Sequence, residues 1–509
     1  MNHFKQKRAV ASACLALSAL IFTASTALAP TQAQAQLPMM GDGMEMTANA
    51  ERRLGEQIVR SLYRDPDYLD DPQLQEYVQR LFDRLRSAAR ARGELAPEID
   101  EGFAWELLLG RDRTVNAFAL PGGFFGVHLG LIAVVATGDE LASVLAHELS
   151  HVTQRHISRL IAQQGRQTPL MLGALILGAL AASRSPDAAQ ALAVGGSALA
   201  VQNQLNFSRD MEREADRVGY GLMAPAGFAP QGFVAMFDTL QQANRINDNG
   251  SWPYLRSHPL TTQRIADMHA RLPLEGGAPP PAATLEHAML VARARVLMRP
   301  GQDALRLWLA EPQSSGFAAQ PRAQQVLAWY AASLSALQLN HPDAALQAWS
   351  GLWRSVQGDA TAMRQARLLA AELELAAGDA QAALAQLAPL GQRARPELLL
   401  ATQALLATGG AAPMAERLQT WLATHPRDAA AWQLLAQVWQ RAGEPLRAVR
   451  AEAEAQAAHY DWSAAIDRFK AGQDLARRAN GAQDHIDASI IDTRLRAVQS
   501  LAREQAAER

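Results

Sequence analysis

The chain has 509 residues, of which 49% are hydrophobic and 19% charged, with 48 Lys and Arg against 50 Asp and Glu. A net charge of −2 with both signs interspersed, and no basic tract, gives nucleic-acid binding no support. The single cysteine, Cys14, lies near the start, so all that follows is free of thiols, as suits an oxidising compartment.

Residues 1–8 carry Lys5, Lys7 and Arg8, and residues 9–29 are apolar and rich in Ala and Leu, the pattern of a secretory signal peptide. Ala27-Leu-Ala29 fits the cleavage rule, but Pro30 would hinder the cut; Ala33-Gln-Ala35 places it before Gln36 instead. The expectation is export to the periplasm with a signal spanning 1–35; an uncleaved anchor is the alternative, since the stretch is just long enough to span a bilayer. About 470 residues then remain, enough for two or three domains with sizeable cores.

Residues 45–100 read as amphipathic helices. Residues 115–128 alternate small and apolar side chains around Pro121-Gly-Gly, which predicts two short strands and a tight turn. Thr137-Gly-Asp-Glu140 is a capping box, and Leu141, Val144, Leu145, Leu149 and Val152 then follow helical spacing. Within this helix, residues 147–151 read His-Glu-Leu-Ser-His. Positions i and i+4 share a face, so His147 and His151 can offer two imidazoles to one metal ion, with Glu148 on the flank as general base. Because the opposite stripe is apolar core, the metal face looks inward. The strand edge at Asn116, Ala117 and Phe118, beside such a centre, could hold a substrate backbone by β-augmentation. A purely structural hairpin is the other reading.

A catalytic zinc takes a third protein ligand and keeps a fourth position for water. The pattern with a third His six residues beyond the second needs Gly at 154 and His at 157. The chain has Gln154 and Ile157, with His156 out of register. Between the motifs, residues 168–200 include an apolar run, 169–182, too short for a membrane span. A packed helical hairpin is the default; a lid or a membrane- or partner-contacting plug is the sharper reading. Downstream, residues 209–220 place Glu212 and Asp216 at i and i+4, so one can ligate while the other orients a ligating His. Ala215 and Gly219 are small enough to let this helix pack closely on the first. His258 precedes a proline and so sits on an extended or turn segment, where it could donate to the oxyanion of a tetrahedral intermediate or occupy the open zinc position. Arg264 reads as an ion-pairing residue that ties this segment down.

His-Glu-Leu-Ser-His, Glu-Arg-Glu-Ala-Asp-Arg-Val-Gly from 212, Asn-Ala-Phe-Ala-Leu-Pro-Gly-Gly from 116 and Ser-His-Pro-Leu-Thr-Thr-Gln-Arg from 257 together resemble the HtpX-type zinc peptidases. The resemblance spans residues 116–264 with its motifs in the family's order. It implies one Zn2+ per chain, held by His147, His151 and Glu212, with Glu148 as base, Asp216 behind a ligand and His258 near the metal in a regulatory or transition-state role.

Gly276 to Pro281 reads as a linker, assigned 276–284. Beyond it, turn markers recur at Asn340, Gly378, Gly410 and Gly443, close to the tetratricopeptide period of about 34. The clearest unit holds Trp432, Leu435, Ala436, Trp439, Gly443, Ala448 and Ala455. The expected fold is mainly α: a gluzincin-type zinc peptidase domain with a small β-sheet over 36–275, then an α-solenoid of about four or five tetratricopeptide repeats over 285–509. This architecture is similar to that of periplasmic proteases of outer-membrane protein quality control. It implies unfolded or misassembled outer-membrane proteins as substrates, the barrel-assembly machinery as a partner, and peripheral membrane contact. The alternative is a chaperone or adaptor whose zinc site is latent and self-inhibited.

Overall fold

The computed structural model describes residues 46–163, 208–245, 252–271, 282–391, 393–478 and 482–507. The signal peptide, the apolar segment 169–200 and linker residues 276–281 lie outside these. Two amphipathic helices open the described chain, α1 (Ala48–Tyr63) and α2 (Pro72–Ala91). Thr47 and Asp71 cap them, and a proline occupies the first position of α2, where its missing N–H costs nothing. The apolar stripe Leu74, Val78, Leu81, Leu85 of α2 enters the core of the first half of the molecule.

Four short strands form one mixed sheet: β1 (Tyr68–Leu69), β2 (Glu106–Gly110), β3 (Ala117–Leu120) and β4 (Phe124–His128), in the order β1-β2-β4-β3. β2 and β4 are parallel, and β3 pairs antiparallel with β4 through Phe118↔Gly126. The expected hairpin is therefore present. Gly122 and Gly123 turn it at φ 76° and 78°, a conformation that β-carbons disfavour. β3 is the sheet's outer strand and lies against α3 (Gly138–Thr153), the helix of the His-Glu motif. The short α4 (His156–Gln163) follows α3, and α5 (Arg209–Met223) and α6 (Gln231–Arg245) pack on α3 from the other side.

Helix α7 (Leu285–Leu297) is buried on nearly every face. Leu290 and Ala294 belong to the first core, while Ala288, Met289, Val291, Ala292 and Val296 belong to the next. Beyond it the chain is helical, each helix packing on its neighbours: Arg322–Gln338 on Pro342–Ser355, Ala360–Ala377 on Ala380–Leu387, Ala429–Arg441 on Pro445–Ala458. Asn340, Gly378 and Gly443 adopt positive φ in the turns as the periodicity suggests, but in the third of the four turns the left-handed residue is Gly409, one before the expected marker. This half docks along the first through ion pairs of Arg293 to Asp71 (2.6 Å), Arg364 to Glu76 (2.9 Å), Arg395 to Asp70 (2.7 Å) and Arg427 to Glu106 (3.1 Å). Near the C-terminal end Tyr460 packs into the cluster of Leu54 and Ile58 on α1. A cavity of about 1220 Å³ lies between α2, β2 and residues 421–429. No helix among the described residues is long and apolar enough to cross a membrane.

Candidate metal centre

Helix α3 begins where the capping box sets it. Thr137 Oγ1 accepts from Glu140 N–H (3.2 Å), and Glu140 reaches back to Ala136 N–H (2.9 Å). Its motif face is buried, as the apolar pattern required: His147, Glu148 and His151 are 2%, 1% and 0% exposed. α5 lies across it because Gly219 has no side chain; a β-carbon there would sit 3.1 Å from the Ala146 carbonyl and His147 N. That approach brings Glu212 and Asp216 to the two imidazoles. The turn after Tyr254–Ser257 then delivers His258 to the same point.

His147, His151, Glu212 and His258 converge, with one donor atom from each within 4.8 Å of all the others. His147 Nε2 lies 3.0 Å from His151 Nε2 and 3.3 Å from His258 Nδ1. Glu212 approaches both motif imidazoles at 3.5 Å and His258 Nδ1 at 3.0 Å. Two nitrogens on one tetrahedral zinc stand about 3.3 Å apart, so these spacings fit a single ion. Glu148 Oε1 and Glu212 Oε2 are both buried, the first turned toward the His258 imidazole and the second toward the Arg264 guanidinium. The nitrogen and carboxylate donor set suits a divalent transition metal.

Around this cluster the supporting contacts are specific. Asp216 meets His147 Nδ1 at 3.0 Å and is clasped by Arg264 through Nε (2.7 Å) and Nη2 (2.9 Å). Arg264 also donates to the Pro259 carbonyl and lies 2.9 Å from Glu212, so it ties the His258 segment to α5 by ion pairing, as expected. Glu148 Oε2 accepts from Ala119 N–H of β3 (3.0 Å), and Oε1 faces His258 Nε2 at 3.4 Å. In the metal-free protein, burial acts to lower the His147 pKa, but Asp216 and Glu212 overcome it and push it up to about 9. Burial drives His151 well below its usual value, with His147 adding like-charge repulsion. Burial raises Glu148 against the pull of His258 and His147. For Glu212, burial acts upward but His258 and His147 prevail and hold the carboxyl well below its ordinary value.

Of the expected substrate residues, Ala117 is the one whose backbone faces the free edge. Asn116 accepts from His128 N–H, so the even positions bond inward to β4, while Ala117 and Ala119 face outward. Asn116 is buried, and the Phe118 ring packs on Gly126 and edge-on to His128.

Sequence reasoning assigned no role to Tyr254 or to His156. Tyr254, buried, lies against His258 with centroids 4.6 Å apart and the rings tilted by 31°. His156 contacts His151, because Arg155 enters the left-handed region (φ 55°) and ends α3. No Gly or Pro marks that break, so nothing in the sequence announces it.

Residues 72–272 match peptidase family M48. The chain is 30% identical over 454 residues to the beta-barrel assembly-enhancing protease of Yersinia pestis, covering 87% of this chain and 89% of that protein. The protease of the same name from Escherichia coli K12 is 28% identical over 464 residues, 90% of this chain and 91% of that one. A Vibrio cholerae relative is 34% identical over 288 residues, 55% of this chain and just over half, 56%, of its own length.

Proposed function

The chain belongs to the β-barrel assembly-enhancing proteases, metalloproteases with an M48 peptidase domain, and from that premise we propose that it is a zinc endopeptidase of the periplasm that cleaves misfolded or stalled outer-membrane proteins. The observation that carries this reading is the convergence of His147, His151 and Glu212 with Glu148 alongside. We read residues 36–275 as the peptidase domain and the helix pairs after 285 as tetratricopeptide repeats that dock substrate or the barrel-assembly machinery. The large cavity between the two halves supports that use.

When bound at these residues, zinc supplies a Lewis acid for the scissile carbonyl and lowers the pKa of a coordinated water toward neutrality. His147, His151 and Glu212 would hold the ion, and Asp216, backed by Arg264, fixes the His147 ring. Glu148 takes the proton of the attacking water and delivers it to the leaving amine as the C–N bond breaks. Its Oε2 is held by Ala119 N–H, so the base is aimed by the same strand whose edge offers Ala117 to a substrate backbone.

A second reading is favoured by one observation. His258 stands as a fourth donor in the cluster, with Nε2 toward Glu148, and every member of the cluster is at most 3% exposed. That supports a latent, self-inhibited enzyme in which His258 takes the place of water until its segment moves, and the repeats act meanwhile as an adaptor. His258 in an opened state could instead donate to the oxyanion. Cleavage of an unfolded β-barrel protein by the mature chain, beside Glu148→Gln and His258→Ala at equal zinc content, tests both. Hydrolysis that disappears in Glu148→Gln supports the endopeptidase. A silent wild type with an active His258→Ala supports latency, and silence in all three contradicts the enzyme reading.

A further inference from the structure

Each imidazole of the His-Glu motif has a second nitrogen that faces away from the cluster. For His147 that nitrogen meets a carboxylate, Asp216. For His151 it meets another imidazole: Nδ1 lies 2.9 Å from His156 Nδ1. His156 Nε2 in turn lies 3.0 Å from Glu214 Oε2, which also accepts from Arg159 Nη1 at 3.0 Å. His156 is fully buried, and Glu214 is 30% exposed.

We propose that His156 and Glu214 are positioning residues for the metal centre, a relay that fixes the tautomer and ring orientation of His151. The inference rests on the reading of His151 as a ligand. A histidine that gives the Nε2 lone pair to a metal keeps its proton on Nδ1 and donates it. The atom 2.9 Å away must then accept, so His156 presents a lone pair at Nδ1 and carries its own proton on Nε2. That proton points at the Glu214 carboxylate. The reverse assignment would set two N–H groups face to face. One chain of two hydrogen bonds thus determines the protonation of both rings, and the charge that ends it sits on α5, on the same helix as the ligand Glu212. Asp216 and Glu214, two residues apart, diverge to serve different imidazoles. The break at Arg155 is what makes this possible, because a continuous helix would carry position 156 round and away from His151.

The test uses the full mature chain, with zinc affinity measured by competition against a chromophoric chelator and the visible absorption of the cobalt-substituted protein as a second readout. His156→Leu keeps the volume and removes the acceptor, and is expected to weaken zinc binding about 10- to 100-fold and to shift the cobalt bands. His156→Asn, whose carbonyl can still accept from His151, is expected to recover most of that loss. Zinc affinity and a cobalt spectrum unchanged in His156→Leu, while His151→Ala loses the metal, would overturn the relay. Full affinity in His151→Ala would instead remove the ligand assignment itself. Should His156→Leu lose its cooperative unfolding transition, Glu214→Leu decides: a loss of zinc affinity supports the relay, and wild-type affinity overturns it.

Discussion

Replacing Gly219 by alanine would put a methyl group against the backbone of the metal-binding helix. The added β-carbon would lie 3.1 Å from the carbonyl carbon and oxygen of Ala146 and from His147 N, with no flexible side chain able to yield. A comfortable contact needs about 3.5 Å or more, so α5 must move out by a few tenths of an ångström. Two effects oppose each other in stability. Alanine in a helix interior gains about 1 kcal/mol over glycine, and overpacking costs about 1–3 kcal/mol. The net is a loss of at most about 2 kcal/mol. Metal binding has no such offset, because ligand distances tolerate only about 0.2 Å and Glu212 rides on the displaced helix. If the strain appears in the bound state, affinity falls about 10- to 100-fold, at about 1.4 kcal/mol per tenfold. Thermal unfolding of the metal-free variant and chelator competition for zinc, run side by side, separate the two effects. A Gly219→Ala protein as stable as the wild type or more so, with unchanged zinc affinity, would refute the argument that this glycine sets the distance between the helices.

Further outcomes follow from other contacts. Asp216→Asn leaves Arg264 half-paired and frees the His147 ring, and is expected to weaken zinc binding about 10- to 100-fold by the same competition assay. Arg293→Met strands the buried carboxylates of Asp71 and Glu372 without their cation; a loss of about 3–5 kcal/mol is expected in urea denaturation, and restoration on adding Asp71→Asn and Glu372→Gln. At Asp428, burial acts to raise the carboxyl pKa, but Arg395 wins and holds it below its ordinary value. The stabilisation is therefore present at neutral pH and lost as pH falls below about 4 toward the folded-state value. Asp428→Asn should melt lower than wild type at pH 7, with the gap closing in acid.

The candidate metal site was largely legible because its chemistry is local. His147, Glu148 and His151 follow from helical spacing, and the Glu212–Asp216 pair from the same rule on a second helix. What the spacing could not assign was the pairing between helices, which depends on a tertiary approach governed by Gly219. His156 was passed over because it was judged only as a ligand, in the register of an unbroken helix, and Glu214 because its partner is set by the tertiary approach of a second helix. The hairpin was visible in Pro121-Gly-Gly, but which backbone groups face outward depends on the pairing with β4. The helical second half was visible as a period, and its turns fall at or beside the marked residues. The ion pairs that dock it were not, since Asp70, Asp71 and Glu76 look in sequence like an ordinary solvated helix start.

Helix α7, with Leu290 and Ala294 in one core and Met289 and Val291 in the next, bears on how the chain is made. Domains generally fold as they are synthesised, N-terminal part first. Here the first core stays unfinished until a helix some thirty residues past Arg264 has emerged, because His287 meets Tyr77 at 2.7 Å and its ring contacts the Val135 carbonyl. A nascent chain cut short at the end of the metal-binding motifs would hold every ligand and still lack part of its own interior. Completion of the protease core thereby waits for the helix it shares with the second half, and a fragment ending at residue 284 is expected to be recovered as an incompletely folded product.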